Sequence, residues 1–322
     1  MWDLDGNRYL DLVAGIAVNS LGHSHPAVTK AIQEQCGKLL HCSNLYWIEN
    51  QVKLAKLLVE KSGLGKAFFC NSGAEANEAA IKLARKWGNG EKYHIITMQK
   101  SFHGRTLGSL AATAQEKYQK AFRPLPEGFS AVPLGDLEAL EKEIRPETCA
   151  IMLEPIQGES GIHVPSKEYM QGVQALCRKH NILLILDEVQ TGLGRTGKSF
   201  AFQNFDLEPD IISLAKAIAN GVPMGAIVAK TEVADCFQPG DHASTFGGTP
   251  IASAAGFAAC SILLEDGFLA NVQETGQYFR EQLQGIGGRH TGIIREVRGM
   301  GLMIGCELTG SAKDAAARLL EQ

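Results

Sequence analysis

An acid and an amine, Asp187 and Lys216, each follow a short apolar run. Ile182-Leu183-Leu184-Ile185-Leu186 precedes the acid, and Ile211-Ile212-Ser213-Leu214 precedes the amine. Continuous apolar runs of that length read as strands buried on both faces of a parallel sheet. Open α/β sheets bind ligands beyond the carboxyl ends of their strands, so both groups are expected in one crevice. A half-buried carboxylate there is costly without a cationic partner. The pairing suits a pyridoxal phosphate site, with the lysine forming the Schiff base and the acid keeping the pyridine nitrogen protonated so that the ring withdraws electrons.

Other stretches offer matching parts. Ala67-Phe68-Phe69-Cys70 reads as a strand, and Asn71-Ser72-Gly73-Ala74-Glu75-Ala76-Asn77-Glu78 then opens a helix running to about Trp87. Unpaired amides and the positive end of the helix dipole converge at such a junction and suit a phosphate, although an Asn or Ser cap with a closely packed glycine explains the same residues. The strand His94 to Met98 delivers Ser101-Phe102-His103-Gly104-Arg105-Thr106, an aromatic face to stack on a ring and a guanidinium to fork onto a carboxylate. After Ala150-Ile151-Met152-Leu153 come two acids in Glu154-Pro155-Ile156-Gln157-Gly158-Glu159, again at a strand end. Ser244-Thr245-Phe246-Gly247-Gly248-Thr249-Pro250 carries hydroxyls and amides fit for a phosphate, or equally a glycine turn before a helix.

The elements that must hold these residues alternate. Helices are expected from Pro26, from Glu49 to Lys61, around Leu137 to Ile144, through Tyr169, Val173 and Leu176, and from Pro250 towards Leu264. Alternating strands and helices require a doubly wound, mostly parallel sheet. Residues 1–25 then form an N-terminal segment, 26–252 a large cofactor-binding domain and 253–322 a smaller C-terminal one, with Gly301 to Leu308 strand-like. A short turn, Asp5-Gly6-Asn7, marks a hairpin near the start.

Composition narrows the partners. The 322 residues are 45% hydrophobic with 35 glycines, enough for a large core and too apolar for disorder. A net charge of -4 with scattered basic residues leaves no footprint for nucleic acid or an anionic membrane surface, and no apolar run approaches the ~18 residues of a membrane helix. Small-molecule substrates and other protein chains remain. The eight cysteines show no CxxC pair, and Met1-Trp2-Asp3-Leu4-Asp5 lacks the basic and apolar regions of a signal peptide, so a reducing, cytoplasmic compartment is expected. His23 and His25 have no further ligand at metal spacing, so no metal is expected.

One motif competes. Gly192-Leu193-Gly194-Arg195-Thr196-Gly197-Lys198-Ser199 matches the phosphate loop GxxxxGK[ST] of nucleotide hydrolases. A true phosphate loop follows its strand directly and opens a helix, whereas Asp187 to Thr191 intervene here and Ser199 to Phe205 lacks a clear helical period. The context argues against nucleotide hydrolysis.

Taken together and in this order, the motifs around Ser72, Arg105, Glu154, Asp187, Lys216 and Thr245 resemble the class III aminotransferases of the pyridoxal phosphate type I fold, over nearly the whole chain. Within that family they are most similar to the branch acting on N2-acetylornithine. The resemblance implies that Ser72, Gly73 and Ala74 hold the phosphate of pyridoxal 5'-phosphate, that Phe102 and Val189 sandwich its ring, that Asp187 pairs with the ring nitrogen and that Gln190 pairs with the phenolic oxygen. Lys216 becomes the Schiff-base lysine and proton shuttle. Thr245 reaches the phosphate held by the neighbouring subunit, which requires a homodimer. Arg105 grips the substrate α-carboxylate, with Ser244 also among the substrate-binding residues. Ile16 stands where ornithine-specific members carry a tyrosine, which favours an acylated α-amine. The implied reaction moves the distal amino group to 2-oxoglutarate, giving glutamate, in arginine biosynthesis. Succinylornithine and N-succinyl-diaminopimelate are excluded by no residue, ornithine and 4-aminobutyrate fit less well, and a non-catalytic aminotransferase-like binding protein is the alternative of another class. Family members extend further at both ends, so the expectation is a small domain left incomplete, a Glu159 without its arginine partner and poor handling of 2-oxoglutarate.

Overall fold

The computed structural model describes residues 1–320. Its centre is a seven-stranded sheet built from β1 (Lys66–Cys70), β2 (His94–Met98), β3 (Phe129–Val132), β4 (Thr148–Leu153), β5 (Leu183–Asp187), β6 (Ile211–Leu214) and β7 (Gly225–Ala229). Their order across the sheet is β1-β7-β6-β5-β4-β2-β3. From β3 to β6 every neighbouring pair is parallel, while β7 runs antiparallel to both β6 and β1. The reversal has a local cause: Ala215 to Met224 is shorter than the dozen or so residues a parallel crossover takes.

Burial on both faces explains the unbroken apolar runs. Along β5, Leu184 and Leu186 enter one core while Leu183 and Ile185 enter the other, so a two-residue period is hidden in a sequence without polar alternation. The crossover helix Lys167–His180 starts on Ser166, whose hydroxyl accepts from Tyr169 N at 3.1 Å, and ends at Asn181 in the left-handed conformation. Gly63 ends the helix Glu49–Ser62 in the same way, with φ 73°.

The helix Pro250–Leu263 sends Ala252, Ala255 and Leu263 into the larger core. The boundary expected at 252/253 therefore cuts an element that packs with the large unit. Beyond it, the long helix Asp266–Arg289 lies against an antiparallel pair, β8 (Ile294–Met300) and β9 (Met303–Leu308), and the helix Ala312–Leu320 follows. The N-terminal turn forms where expected, with Trp2 bridging Arg8 around a left-handed Gly6. Asn220 anchors the next part of that segment, its side chain accepting from Leu21 N at 2.9 Å and donating to Gly22 O at 3.1 Å. No single helix among the described residues is long and apolar enough to cross a membrane.

Candidate functional site

The carboxyl ends of β1, β4, β5 and β6 and the loop after β2 converge on a cavity of about 410 Å³. Asp187 and Ser213 face each other in the register of β5 and β6, so the acid at the end of β5 and the lysine two residues beyond β6 share that cavity. Ser72, Gly73, Ala74, Phe102, Arg105, Glu159, Val189 and Gln190 line it as well.

Asp187 is almost fully enclosed. Its Oδ2 accepts from Asn77 Nδ2 at 2.7 Å and from His103 Nδ1 at 2.7 Å, and its Oδ1 accepts from Val189 N at 3.0 Å. A carboxylate has about four acceptor positions, so one stays open on Oδ1. Asn77 also donates to His103 O at 2.6 Å, which spends both of its amide hydrogens and fixes which way the amide points. The ring atom His103 Nε2 and the amide atom Asn77 Oδ1 are buried without a partner. Burial alone pulls the His103 imidazole down, but the bond to Asp187 and the charges of Asp187 and Glu154 outweigh it and leave it above the ordinary histidine value. Neither Asn77 nor His103 was assigned a role from the sequence; both lie inside motifs that were singled out, and only the fold shows that they meet at Asp187.

Lys216 breaks out of the strand into a short 3-10 turn with φ 47°, a left-handed conformation rare for a side chain of its size. It has no hydrogen-bond or ion-pair partner among the described residues. Burial holds its amine below the ordinary lysine value, although Asp187, Glu159 and Glu154 pull it back up. A lowered value leaves more of the amine unprotonated near neutral pH and so available as nucleophile and base.

Ser72 caps the helix Gly73–Trp87, its Oγ accepting from Glu75 N at 3.1 Å, while Asn71 N and Nδ2 donate to Glu75 Oε2 at 2.8 and 2.9 Å. The capping and anion-binding readings are therefore compatible: the cap uses an acceptor position of Ser72, and its O–H and the first helix amides stay free to donate. Gly73 is required by closeness, since a Cβ there would stand 2.9 Å from Val189 Cγ1. Glu154 spans two loops, accepting from Phe102 N at 3.1 Å and Gly158 N at 3.2 Å; burial pushes its carboxyl up to about 7.

Three expected residues lie apart from the cavity lining. Ile16 belongs to a left-handed stretch and is 62% exposed, and Val18 lines the cavity instead. Ser244 connects through Asn71 Nδ2 at 3.2 Å, and Thr245 is exposed on the same loop. Within the competing GxxxxGK[ST] motif Lys198 points to solvent, and the loop is tied down by Gln273 Nε2 donating to Gly197 O at 2.8 Å rather than opening a helix at its lysine. His23 bonds Asp11 at 2.7 Å, and no cluster of three metal-ligating side chains occurs among the described residues.

The donor set fits pyridoxal phosphate: a carboxylate with one open acceptor position, helix-start amides and a hydroxyl for a phosphate, an aromatic and a branched side chain for the ring, and an unpaired amine for the carbonyl. Comparisons with known proteins agree. The family model for aminotransferase class-III matches residues 1–322. The acetylornithine aminotransferase of Caldanaerobacter subterraneus subsp. tengcongensis is 56% identical over 312 residues, covering 96% of this chain and 79% of that protein. That of Methanocaldococcus jannaschii is 51% identical over 326 residues, covering 100% and 82%. Among solved structures, ornithine aminotransferase from Toxoplasma gondii ME49 superposes with a TM-score of 0.95 at 33% identity, covering 99% of this chain and 79% of that one. N-acetylornithine aminotransferase from Stenotrophomonas maltophilia K279a gives a TM-score of 0.84 at 37% identity, covering 99% and 81%.

Proposed function

This chain belongs to the class III aminotransferases, which use pyridoxal phosphate, and on that premise we propose that it transfers the distal amino group of N2-acetylornithine to 2-oxoglutarate. The observation that carries the reading is the shared crevice of Asp187 and Lys216, beside a helix start suited to a phosphate. The names of the relatives at about half identity support the acylated substrate.

When bound, the cofactor supplies a carbonyl that takes up the amino group and a ring that withdraws electrons. The side chains do the rest. Ser72, Gly73 and Ala74 hold the phosphate, Phe102 and Val189 pack on the ring, and Gln190 bonds its oxygen. Asp187 keeps the ring nitrogen protonated, and Asn77 and His103 hold that carboxylate in place. With the cofactor in place, Lys216 Nζ would be its covalent anchor and, once released, would take a proton from the substrate carbon and return it to the cofactor carbon, a role that needs the amine unprotonated and that burial favours. Arg105 grips the α-carboxylate, so the amine at the other end of the substrate is the one that reacts. Glu159 lines the same cavity and is an acid that the incoming dicarboxylate meets there.

The working unit in this reading is a homodimer in the cytoplasm. An exposed apolar strip, Leu45, Tyr46 and Trp47, the last 92% exposed, adjoins the loop of Thr245 and Phe246. Asn44 joins the two by donating to Ser244 O at 3.0 Å and Gly247 O at 3.2 Å. A second copy covering this face would bring Thr245 to its partner's phosphate. All eight cysteines are free, as a reducing compartment allows.

The test is direct. The purified protein should absorb in the visible range, retain pyridoxyl on Lys216 after borohydride reduction and peptide mapping, and turn over N2-acetylornithine with 2-oxoglutarate. A colourless protein, or one active on ornithine and inert towards its acetylated form, would overturn the proposal.

A further inference from the structure

We propose that Tyr118, which lies off the cavity, is the positioning residue that presents Arg105 to the substrate carboxylate; this rests on the carboxylate role proposed for Arg105. The Arg105 guanidinium lies 4.2 Å from the centre of the Tyr118 ring and 5.4 Å from that of Phe102. The two rings meet edge to face, with centres 5.8 Å apart. Arg105 has no hydrogen-bond or ion-pair partner among the described residues.

That arrangement solves a specific problem. An arginine meant to take a carboxylate must be held still, yet a resident Asp or Glu would consume the N–H donors the ligand needs. An aromatic face holds the cation through its π cloud and leaves all five N–H groups free. Tyr118 is itself anchored to the loop it serves. Gln115 Nε2 donates to Ser101 O at 2.9 Å and Gln119 Nε2 to Thr113 O at 2.8 Å, on either side of the half-buried tyrosine. Lys117 Nζ lies over the same ring at 4.5 Å, a little farther than the guanidinium. Through its contact with Phe102, Tyr118 also links the carboxylate-reading residue to the one proposed to pack on the cofactor ring.

The experiment uses the holoenzyme with N-acetyl-L-norvaline, which keeps the α-carboxylate and acyl group of the proposed substrate but lacks the reactive amine. Calorimetric Kd should weaken about three- to tenfold in Tyr118→Leu and stay within about twofold of wild type in Tyr118→Phe, which preserves the ring face. KM for the amine donor should rise more than kcat falls. Independently of any substrate, phenylglyoxal should modify Arg105 faster in Tyr118→Leu, read by peptide mass spectrometry. Unchanged binding and modification rates in Tyr118→Leu overturn the inference, as does a Tyr118→Phe variant equally impaired. A wild-type protein that ignores N-acetylnorvaline would instead sink the acetylornithine reading, and the phenylglyoxal rates would then decide the role of Tyr118 alone.

Discussion

His103 Nδ1 and Asp187 Oδ2 stand 2.7 Å apart in a site with almost no solvent exposure, and Asn77 Nδ2 meets the same oxygen at 2.7 Å. Two donors on one oxygen make the charge on Asp187 integral to the site. In Asp187→Asn the new amide can satisfy those donors only with its oxygen, and its NH2 group must then face Val189 N–H and the cofactor nitrogen. Losing one member of a buried charged network costs about 3–5 kcal/mol, and carried into the reaction barrier that loss should slow both half reactions by about two to four orders of magnitude, as stopped-flow single turnovers would show. A variant of wild-type speed would remove Asp187 from the chemistry.

Lys216→Ala should leave a protein that still takes up cofactor, because the phosphate site and Asp187 are untouched, but that releases it on dialysis and retains no pyridoxyl after borohydride. Turnover should fall by at least about a thousandfold, since anchor and proton carrier go together. Persistent transamination would mean another base does the work.

Arg105→Ala should raise KM for N2-acetylornithine about tenfold to a hundredfold, the value of roughly 1.5–3 kcal/mol for a hydrogen bond to a charged group. Steady-state kinetics with N2-acetylornithine varied at fixed 2-oxoglutarate measure it. An unaltered KM would mean that the substrate lies the other way round.

Glu154 gives a pH prediction with a definite sign. Burial raises its carboxyl from 4.5 to about 7, so between those values the folded protein holds a proton that the unfolded chain has released. Its contribution to stability is complete below about 4.5 and is lost as the pH rises through about 7. Cofactor-free Glu154→Gln should lack that slope, and the wild-type stability relative to the variant should fall by on the order of 1–3 kcal/mol between pH 4.5 and 8 in urea denaturation. Glu188, also pushed up to about 7 by burial, remains in both proteins and cancels in the comparison.

The sequence announced the site through strand ends. Unbroken apolar runs before Asp187 and Lys216 were enough to place both in one crevice, and the helix from Gly73 was legible from its cap. What stayed hidden depends on contacts between distant segments. His103 and Asn77 have no distinguishing spacing; they matter because the loop after β2 and the helix after β1 meet at Asp187. Ile16 was expected near the substrate, but the left-handed backbone through Gly15 and Ile16 leaves its side chain in solvent, a conformation no residue pattern there foretold. The direction of β7 followed from a short connection, whose length can be counted but whose partners cannot.

That reversed strand also governs the order of assembly. Among the described residues β1 pairs with β7 alone, with Lys66 opposite Ala229, so the strand that leads into Ser72 cannot join the sheet until residues 225–229 have been made and folded back. Loop closure over so long a separation is slow and pays its entropy before any contact rewards it. On a ribosome, the cup for the phosphate therefore forms only after Lys216 has already emerged, and a nascent chain captures cofactor late.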